Sequence, residues 1–327
     1  MDIQLSIVKC ASCLLKKMGR GGSFPGTLGI KMDKDFIARF KMPEHVILVT
    51  GTNGKTTTQN LIAESLRQEG LKVINNKRGD NLNVGIASLL AANSDLSYHV
   101  QADVAVIEVD ELTLYRQFKN LRPTALVVTN FFRDQLDRAG EMETIIRRIM
   151  EVTKDFEGDL ILNANDPNVL RIGYNAAKAN VHYFSVDRNA KSVETTNEAS
   201  EGKFCPVCGK PLKYAYYQYS HIGKFLCPHD GFGNVQSDVE VTSIDYDHGT
   251  FQAQGRQFTS FINTIYAVYN CAAVITVMKL LGCNFDSADT VFKTFVLKEG
   301  RNELFHLNQP CILNLAKNPT GTNEVLK

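Results

Sequence analysis

The segment 46–58, VILVTGTNGKTTT, constrains this chain more than any other. VILVT (46–50) is a short apolar run of strand length that enters a glycine turn. Thr57 to Gln68 then reads as a helix. Glycines in such a loop let backbone N–H groups approach phosphate oxygens, and the helix N-terminus adds positive potential. Gly51, Thr52, Asn53, Gly54, Lys55, Thr56 and Thr57 are therefore candidate ATP contacts. Lys55 would reach the β- and γ-phosphates, and the Thr56 hydroxyl would hold Mg²⁺. The strict phosphate-loop spacing needs a glycine where this chain has Val49, so the loop is a variant.

Further apolar runs follow at LKVIN (71–75), DVAVIEVD (103–110), TALVVTN (124–130), DLILNAND (159–166) and VHYFSV (181–186). Helical patterns cover about 84–92 and 141–154. This alternation predicts an α/β fold with a mostly parallel, doubly wound sheet and ligands at the carboxyl ends of its strands. Residues 236–262 alternate as a β-hairpin region, 264–281 read as a helix, and 304–316 restart a strand pair.

Before the phosphate loop, residues 3–18 carry Ile7, Val8, Ala11, Leu14, Leu15 and Met18 at helical spacing, with Lys9, Lys16, Lys17 and Arg20 off that stripe. Either the helix docks on its own domain, which is the ordinary case, or it touches an anionic membrane surface. Gly19 to Gly29 reads as a Gly/Pro-rich connector.

With 327 residues the expectation is about two domains. Lys+Arg 36 against Asp+Glu 35 argues against a dedicated nucleic-acid binder. No run approaches the ~18 uninterrupted apolar residues of a membrane span. The N-terminus makes a poor signal peptide, because Lys9 interrupts its apolar part. The uneven cysteines suit a cytoplasmic protein with thiols reduced or on metal, at most peripheral to the inner membrane face.

The insert at 205–231 holds Cys205-Pro-Val-Cys208-Gly and, 18 residues on, Cys227-Pro-His-Asp230-Gly. Two such knuckles have zinc-ribbon spacing, with Asp230 where a fourth cysteine belongs. Three readings stay open: three thiolates plus Asp230, three thiolates plus His229, or a ribbon without metal, held by its tyrosines and Phe225. Cys10 and Cys13 share the spacing but sit in a helical pattern with no partner pair, so they read as ordinary helix residues.

The loop GTNGKTTT after an apolar strand resembles that of the Mur ligase family, which includes the folylpolyglutamate synthases. These enzymes use ATP to activate a carboxylate as an acyl phosphate that an amine attacks. EVDE (108–111), TNFFRDQLDRAGE (129–141), LNANDP (162–167), TIYAVYNCAA (264–273), GRNE (300–303) and LAKNPTGTNEVL (315–326) are similar to family segments in the same order. The resemblance implies that Lys55 and Glu108 are catalytic, and that Glu108 binds Mg²⁺ with Thr56. It also implies that Asn270 meets the adenine and that Arg301 joins the ATP site. Asn130, Asp134 and Asp137 are further polar candidates.

Several residues depart from the family pattern: Gln135 for a histidine, Asn165 for an aspartate, Ala267 for an asparagine, and no lysine between 135 and 154 to carry a carbamate. Gln135 and the cysteine insert are instead similar to the branch that amidates the α-carboxylate of D-glutamate in lipid II. That branch takes ammonia from a GatD-type glutaminase subunit. The alternatives are an amino-acid-adding Mur or folylpolyglutamate-type ligase, and a non-catalytic nucleotide-binding module.

The implied domains are an N-terminal helix and connector (1–40), an ATP-binding domain (41–303) carrying the ribbon insert (201–235), and the start of a C-terminal domain (304–327). The family's C-terminal domain is longer. The expectation is therefore a fragment or truncated homologue that binds ATP-Mg²⁺ but amidates poorly by itself.

Overall fold

The computed structural model describes residues 2–17, 22–132, 142–196, 201–233 and 235–297, residue 322, and the backbone of 303–306 and 310–313. A nine-stranded sheet organises them, in the order β11-β10-β9-β6-β5-β4-β1-β3-β2. Its strands are β1 (His45–Thr50), β2 (Val73–Asn75), β3 (Val104–Glu108), β4 (Ala125–Val128), β5 (Asp159–Asn163), β6 (Asn180–Val186), β9 (Val239–Asp245), β10 (Thr250–Ala253) and β11 (Arg256–Thr259). Pairing is parallel from β2 across to β9, and β10 and β11 add an antiparallel edge. The strand order reverses at β1, which lies between β3 and β4. Such a switch point opens a crevice at the carboxyl ends of the strands.

The central strands are apolar throughout because both faces of the sheet are covered. Alternation sorts their side chains. Ile47, Val49, Val106 and Val127 face one core, shared with α3 (Lys55–Gln68), α8 (Ile265–Leu280) and α9 (Phe285–Thr294). Val46, Leu48, Ile107 and Val128 face the other. That side is covered by α1 (Ile3–Lys17), α2 (Phe24–Met32), α4 (Asn83–Ala92), α5 (Glu111–Leu121), α6 (Met142–Thr153) and α7 (Pro167–Asn175).

Helix α1 docks on this second core through Leu5 and Val8, beside α2 and α4. Among the described residues no helix is long and apolar enough to cross a membrane.

The reading of 19–29 as connector is corrected in its second half, where α2 begins at Phe24. Pro25 fits the first turn of a helix. Gly26 and Gly29 serve close packing: a Cβ on Gly26 would lie 1.9 Å from the Val84 carbonyl oxygen, and one on Gly29 would lie 2.5 Å from the Phe36 ring. Tertiary contact thus outweighs the poor helix propensity of glycine.

The insert forms a separate two-stranded ribbon, β7 (Lys213–Tyr219) against β8 (Ile222–Leu226). The strand pair expected at 304–316 is present as β12 (Glu303–His306) and β13 (Pro310–Leu313).

Candidate ATP site and cysteine centre

Three strand ends build the first site. Strand β1 delivers the loop 51–54 to the N-terminus of α3. Val49 is buried within β1 and its carbonyl accepts from the Val109 N–H at 2.9 Å, so this position belongs to the sheet and needs no glycine. Gly51 and Gly54 have φ of +122° and +81°, a region costly for other residues.

The end of β4 braces the loop. The Asn130 carbonyl accepts from Thr52 N–H at 2.8 Å, and the Asn130 side-chain oxygen accepts from Asn53 N–H at 2.9 Å. The Thr129 hydroxyl donates to the Asn53 carbonyl at 2.8 Å. Thr57 is buried in the first turn of α3. Asn270 of α8 reaches the same loop: a Cβ on Gly54 would stand 2.6 Å from its Oδ1. The structure therefore sets the Asn270 amide against the phosphate loop.

Strand β3 brings Glu108, only 2% exposed, to the start of α3. Its Oε2 accepts from the Thr56 hydroxyl at 2.7 Å and its Oε1 from Asn81 Nδ2 at 2.7 Å. Asn76 exchanges side-chain hydrogen bonds with the Glu108 backbone, at 2.8 and 2.9 Å. Gly79, at φ +74°, keeps the space beside this pair open. A Cβ there would lie 3.0 Å from Thr56 Oγ1 and 3.1 Å from Glu108 Oε2. Two hard oxygen donors side by side, in a cradle that a methyl group would fill, suit Mg²⁺, which retains waters and takes phosphate oxygens for its other positions.

Asp110 caps α5 through the Leu112 and Thr113 N–H groups. That cap places Glu111 in the first turn, where its Oε1 lies 3.0 Å from Lys55 Nζ. Burial pulls against the Lys55 charge, but Glu111, with Glu108 and Asp110 behind it, together hold the amine above its ordinary pKa. Lys55 also donates to the Gly51 carbonyl. Glu111, Asn76, Gly79 and Asn81 are site residues that motif reading missed. Their signal was position, since both short segments follow carboxyl ends of parallel strands.

Asn165, which stands where the family pattern has an aspartate, is buried and cross-links three segments: its Nδ2 donates to the Gly223 carbonyl, and its Oδ1 accepts from Val186 N–H and the Tyr269 hydroxyl. A neutral amide can do both at once, whereas a carboxylate could only accept. Ala267 is fully buried in α8. Asp134, Gln135, Asp137 and Arg301 lie outside the described residues.

The second site lies in the insert. Cys205 N–H donates to the Lys210 carbonyl and Cys227 N–H to the Phe232 carbonyl, each at 2.7 Å. Gly209 and Gly231 then turn back onto the Cys205 and Cys227 carbonyls, with φ of +71° and +77°. The two knuckles are equivalent, and Asp230 occupies the place that Cys208 fills in the first. Ligand atoms of Cys205, Cys208, Cys227 and Asp230 all lie within 4.8 Å of one another, and His229 is not in this group.

Cys208 Sγ and Cys227 Sγ are 3.6 Å apart, and Cys205 Sγ is 3.3 Å from Asp230 Oδ2. A tetrahedron with zinc–sulfur bonds of about 2.3 Å has sulfur–sulfur edges of about 3.8 Å. The Phe232 N–H and the neighbouring thiols hold Asp230 well below the usual carboxylate range, so it stays charged. Cys10 and Cys13 are exposed on α1, away from any such group among the described residues.

The Mur ligase middle domain matches residues 49–227. The MurT subunit of lipid II isoglutaminyl synthase (glutamine-hydrolyzing) from Staphylococcus aureus (strain COL) is 33% identical over 310 residues, which are 94% of this chain and 69% of that protein. The subunit of the same name from Streptococcus pneumoniae is 30% identical over 96% of this chain and 70% of that protein. Among solved structures, a pseudomurein peptide ligase type C from Methanothermus fervidus superposes with a TM-score of 0.71 at 26% identity. It covers 90% of this chain, which spans 58% of that one.

Proposed function

The chain belongs to the Mur ligase family, and from that premise we propose that it is the ATP-using subunit of a lipid II amidating enzyme. The reaction converts the α-carboxylate of D-glutamate in the lipid II stem peptide to the amide of D-isoglutamine. Ammonia comes from a GatD-type glutaminase partner. The carboxylate attacks the γ-phosphorus of ATP to give an acyl phosphate and ADP. Ammonia then adds to the acyl carbon, phosphate leaves, and a proton is lost.

One observation supports this reading most: Lys55, Thr56 and Glu108 converge at the carboxyl ends of β1 and β3. Phosphoryl transfer needs positioning and charge stabilisation more than covalent chemistry. Lys55 would leave Glu111 for the phosphates. Thr56 and Glu108 would hold Mg²⁺, which screens the charge that builds on the transferring group. The bracket from Asn130 and Thr129 keeps the loop preformed, so little reorganisation accompanies binding.

Under the same proposal the cysteine insert binds one structural zinc ion through Cys205, Cys208, Cys227 and Asp230. Asp230 rather than His229 is favoured because its oxygen already sits among the sulfurs. With no open ligand position, such a site stabilises the insert instead of activating water. ATP, Mg²⁺ and zinc are the implied cofactors, and the proposed domains are 1–40, 41–303 with the insert 201–235, and 304–327.

A second reading, an amino-acid-adding peptide ligase, is favoured by the likeness to the pseudomurein peptide ligase. The MurT relatives, at higher identity, favour amidation. The discriminating experiment supplies lipid II, ATP, Mg²⁺, glutamine and a GatD-type glutaminase, and follows the product by mass. Amidation lowers the mass by about one dalton. ATP hydrolysis that depends on a free amino acid, with no glutaminase needed, would support the second reading instead.

A further inference from the structure

The turn between β7 and β8 carries a histidine into the interior. The His221 side chain is 2% exposed, and its Nε2 lies 3.3 Å from Oδ1 of the fully buried Asp166. Asp166 Oδ1 also accepts from the Asn168 N–H at the start of α7, at 2.8 Å. Its Oδ2 accepts from the Phe131 N–H, at 2.8 Å. Phe131 directly follows Asn130, the residue that holds the backbone of Thr52 and Asn53 in the phosphate loop.

The imidazole also lies 4.9 Å from the Phe132 ring, and Tyr219 stacks on that ring from the same turn at 5.8 Å. The insert therefore touches Phe132 directly and reaches Phe131 through Asp166.

A carboxylate this deeply buried needs every donor it can find. Two backbone N–H groups serve it, and the imidazole is the third. For Nε2 to donate, the ring must carry its proton there. Nδ1 then has no hydrogen-bond partner among the described residues. Besides its ring contact with Phe132, the imidazole makes one hydrogen bond among the described residues, and that bond points at the carboxylate that holds the Phe131 N–H.

We propose that His221 is a positioning residue for the nucleotide: through Asp166 it fixes the Phe131–Phe132 backbone, and through Asn130 the phosphate loop. The proposal rests on the ATP-site reading above. It assigns the cysteine insert a task in the ligase site, since β8 alone separates His221 from Cys227. The cysteine knuckle and the loop bracket thus lie at the two ends of one strand, about 20 Å apart at about 3.3 Å per residue.

The test titrates the whole chain with a fluorescent ATP analogue and Mg²⁺, comparing wild type with His221→Leu, His221→Asn and His221→Gln. The glutamine amide nitrogen can take the place of Nε2, whereas asparagine is too short to reach Asp166. The expected result is affinity at least fivefold weaker for His221→Leu and His221→Asn, and within twofold of wild type for His221→Gln, with the same circular dichroism in all. Should His221→Leu fail to fold, His221→Asn and His221→Gln carry the comparison. Wild-type affinity in His221→Asn, or equal weakening in His221→Gln, overturns the proposal. A wild-type chain that binds no nucleotide overturns the ATP-site reading and this proposal with it.

Discussion

Lys55 Nζ lies 3.0 Å from Glu111 Oε1, with both side chains only 13% exposed. The lysine that should meet phosphate is thus already neutralised by a carboxylate from the next strand's helix. Phosphate oxygens must displace that partner. Glu111→Gln removes the competing charge, so Mg-ATP affinity should rise severalfold. The nucleotide-free protein should lose on the order of 2 kcal/mol, because the amine is left without its counter-ion. Calorimetric titration and a denaturant melt measure the two effects, and unchanged affinity would show that Glu111 does not compete.

The space above Thr56 and Glu108 is kept by Gly79, whose φ of +74° and near contacts both oppose a side chain. Gly79→Ala should raise the Mg²⁺ concentration needed for half-maximal nucleotide binding by about tenfold, equivalent to roughly 1.4 kcal/mol. A magnesium titration at fixed nucleotide reads this directly. An unchanged requirement would place the cation elsewhere.

Equivalence of the two knuckles leads to a prediction about metal. Purified protein should contain one zinc per chain, released by a strong chelator. Asp230→Cys should hold it more tightly, and Cys227→Ser should lose it. His229→Ala should leave the content unchanged, because His229 is outside the donor group. A colorimetric zinc assay decides, and loss of zinc in His229→Ala would exchange the roles of the two residues.

Helix α2 offers a test of packing. A Cβ on Gly26 would meet the Val84 carbonyl oxygen at 1.9 Å and the Ser88 nitrogen at 2.7 Å. Gly26→Ala should cost about 3 kcal/mol through separation of α2 from α4. An ordinary alanine-for-glycine exchange in a helix would instead gain about 1 kcal/mol. Thermal melts distinguish the two signs.

How much of this was legible beforehand follows from the range of the interactions. The central strands were readable because each is buried on both faces, which leaves an uninterrupted apolar run. The loop from Gly51 to Thr56 was readable because its chemistry is contiguous. Helix α2 was not, since Pro25, Gly26 and Gly29 locally signal a connector and only contact with α4 and Phe36 explains them. Glu111 stood in plain view beside Glu108, but its partner is 56 residues away. Asp166 and His221 are 55 residues apart, and no spacing rule joins them. The amide of Asn165 has its reason in partners 21, 58 and 104 residues away, which no local pattern shows.

If Lys55, Thr56 and Glu108 form a Mg-ATP site that serves carboxylate activation, calorimetric titration with a non-hydrolysable ATP analogue, with and without Mg²⁺, reads it most directly. One nucleotide should bind per chain, with affinity that depends on Mg²⁺ and falls at least about tenfold, or about 1.4 kcal/mol, in both Lys55→Met and Glu108→Gln. Equal affinity in the absence of Mg²⁺, or wild-type binding by either variant, would contradict the account.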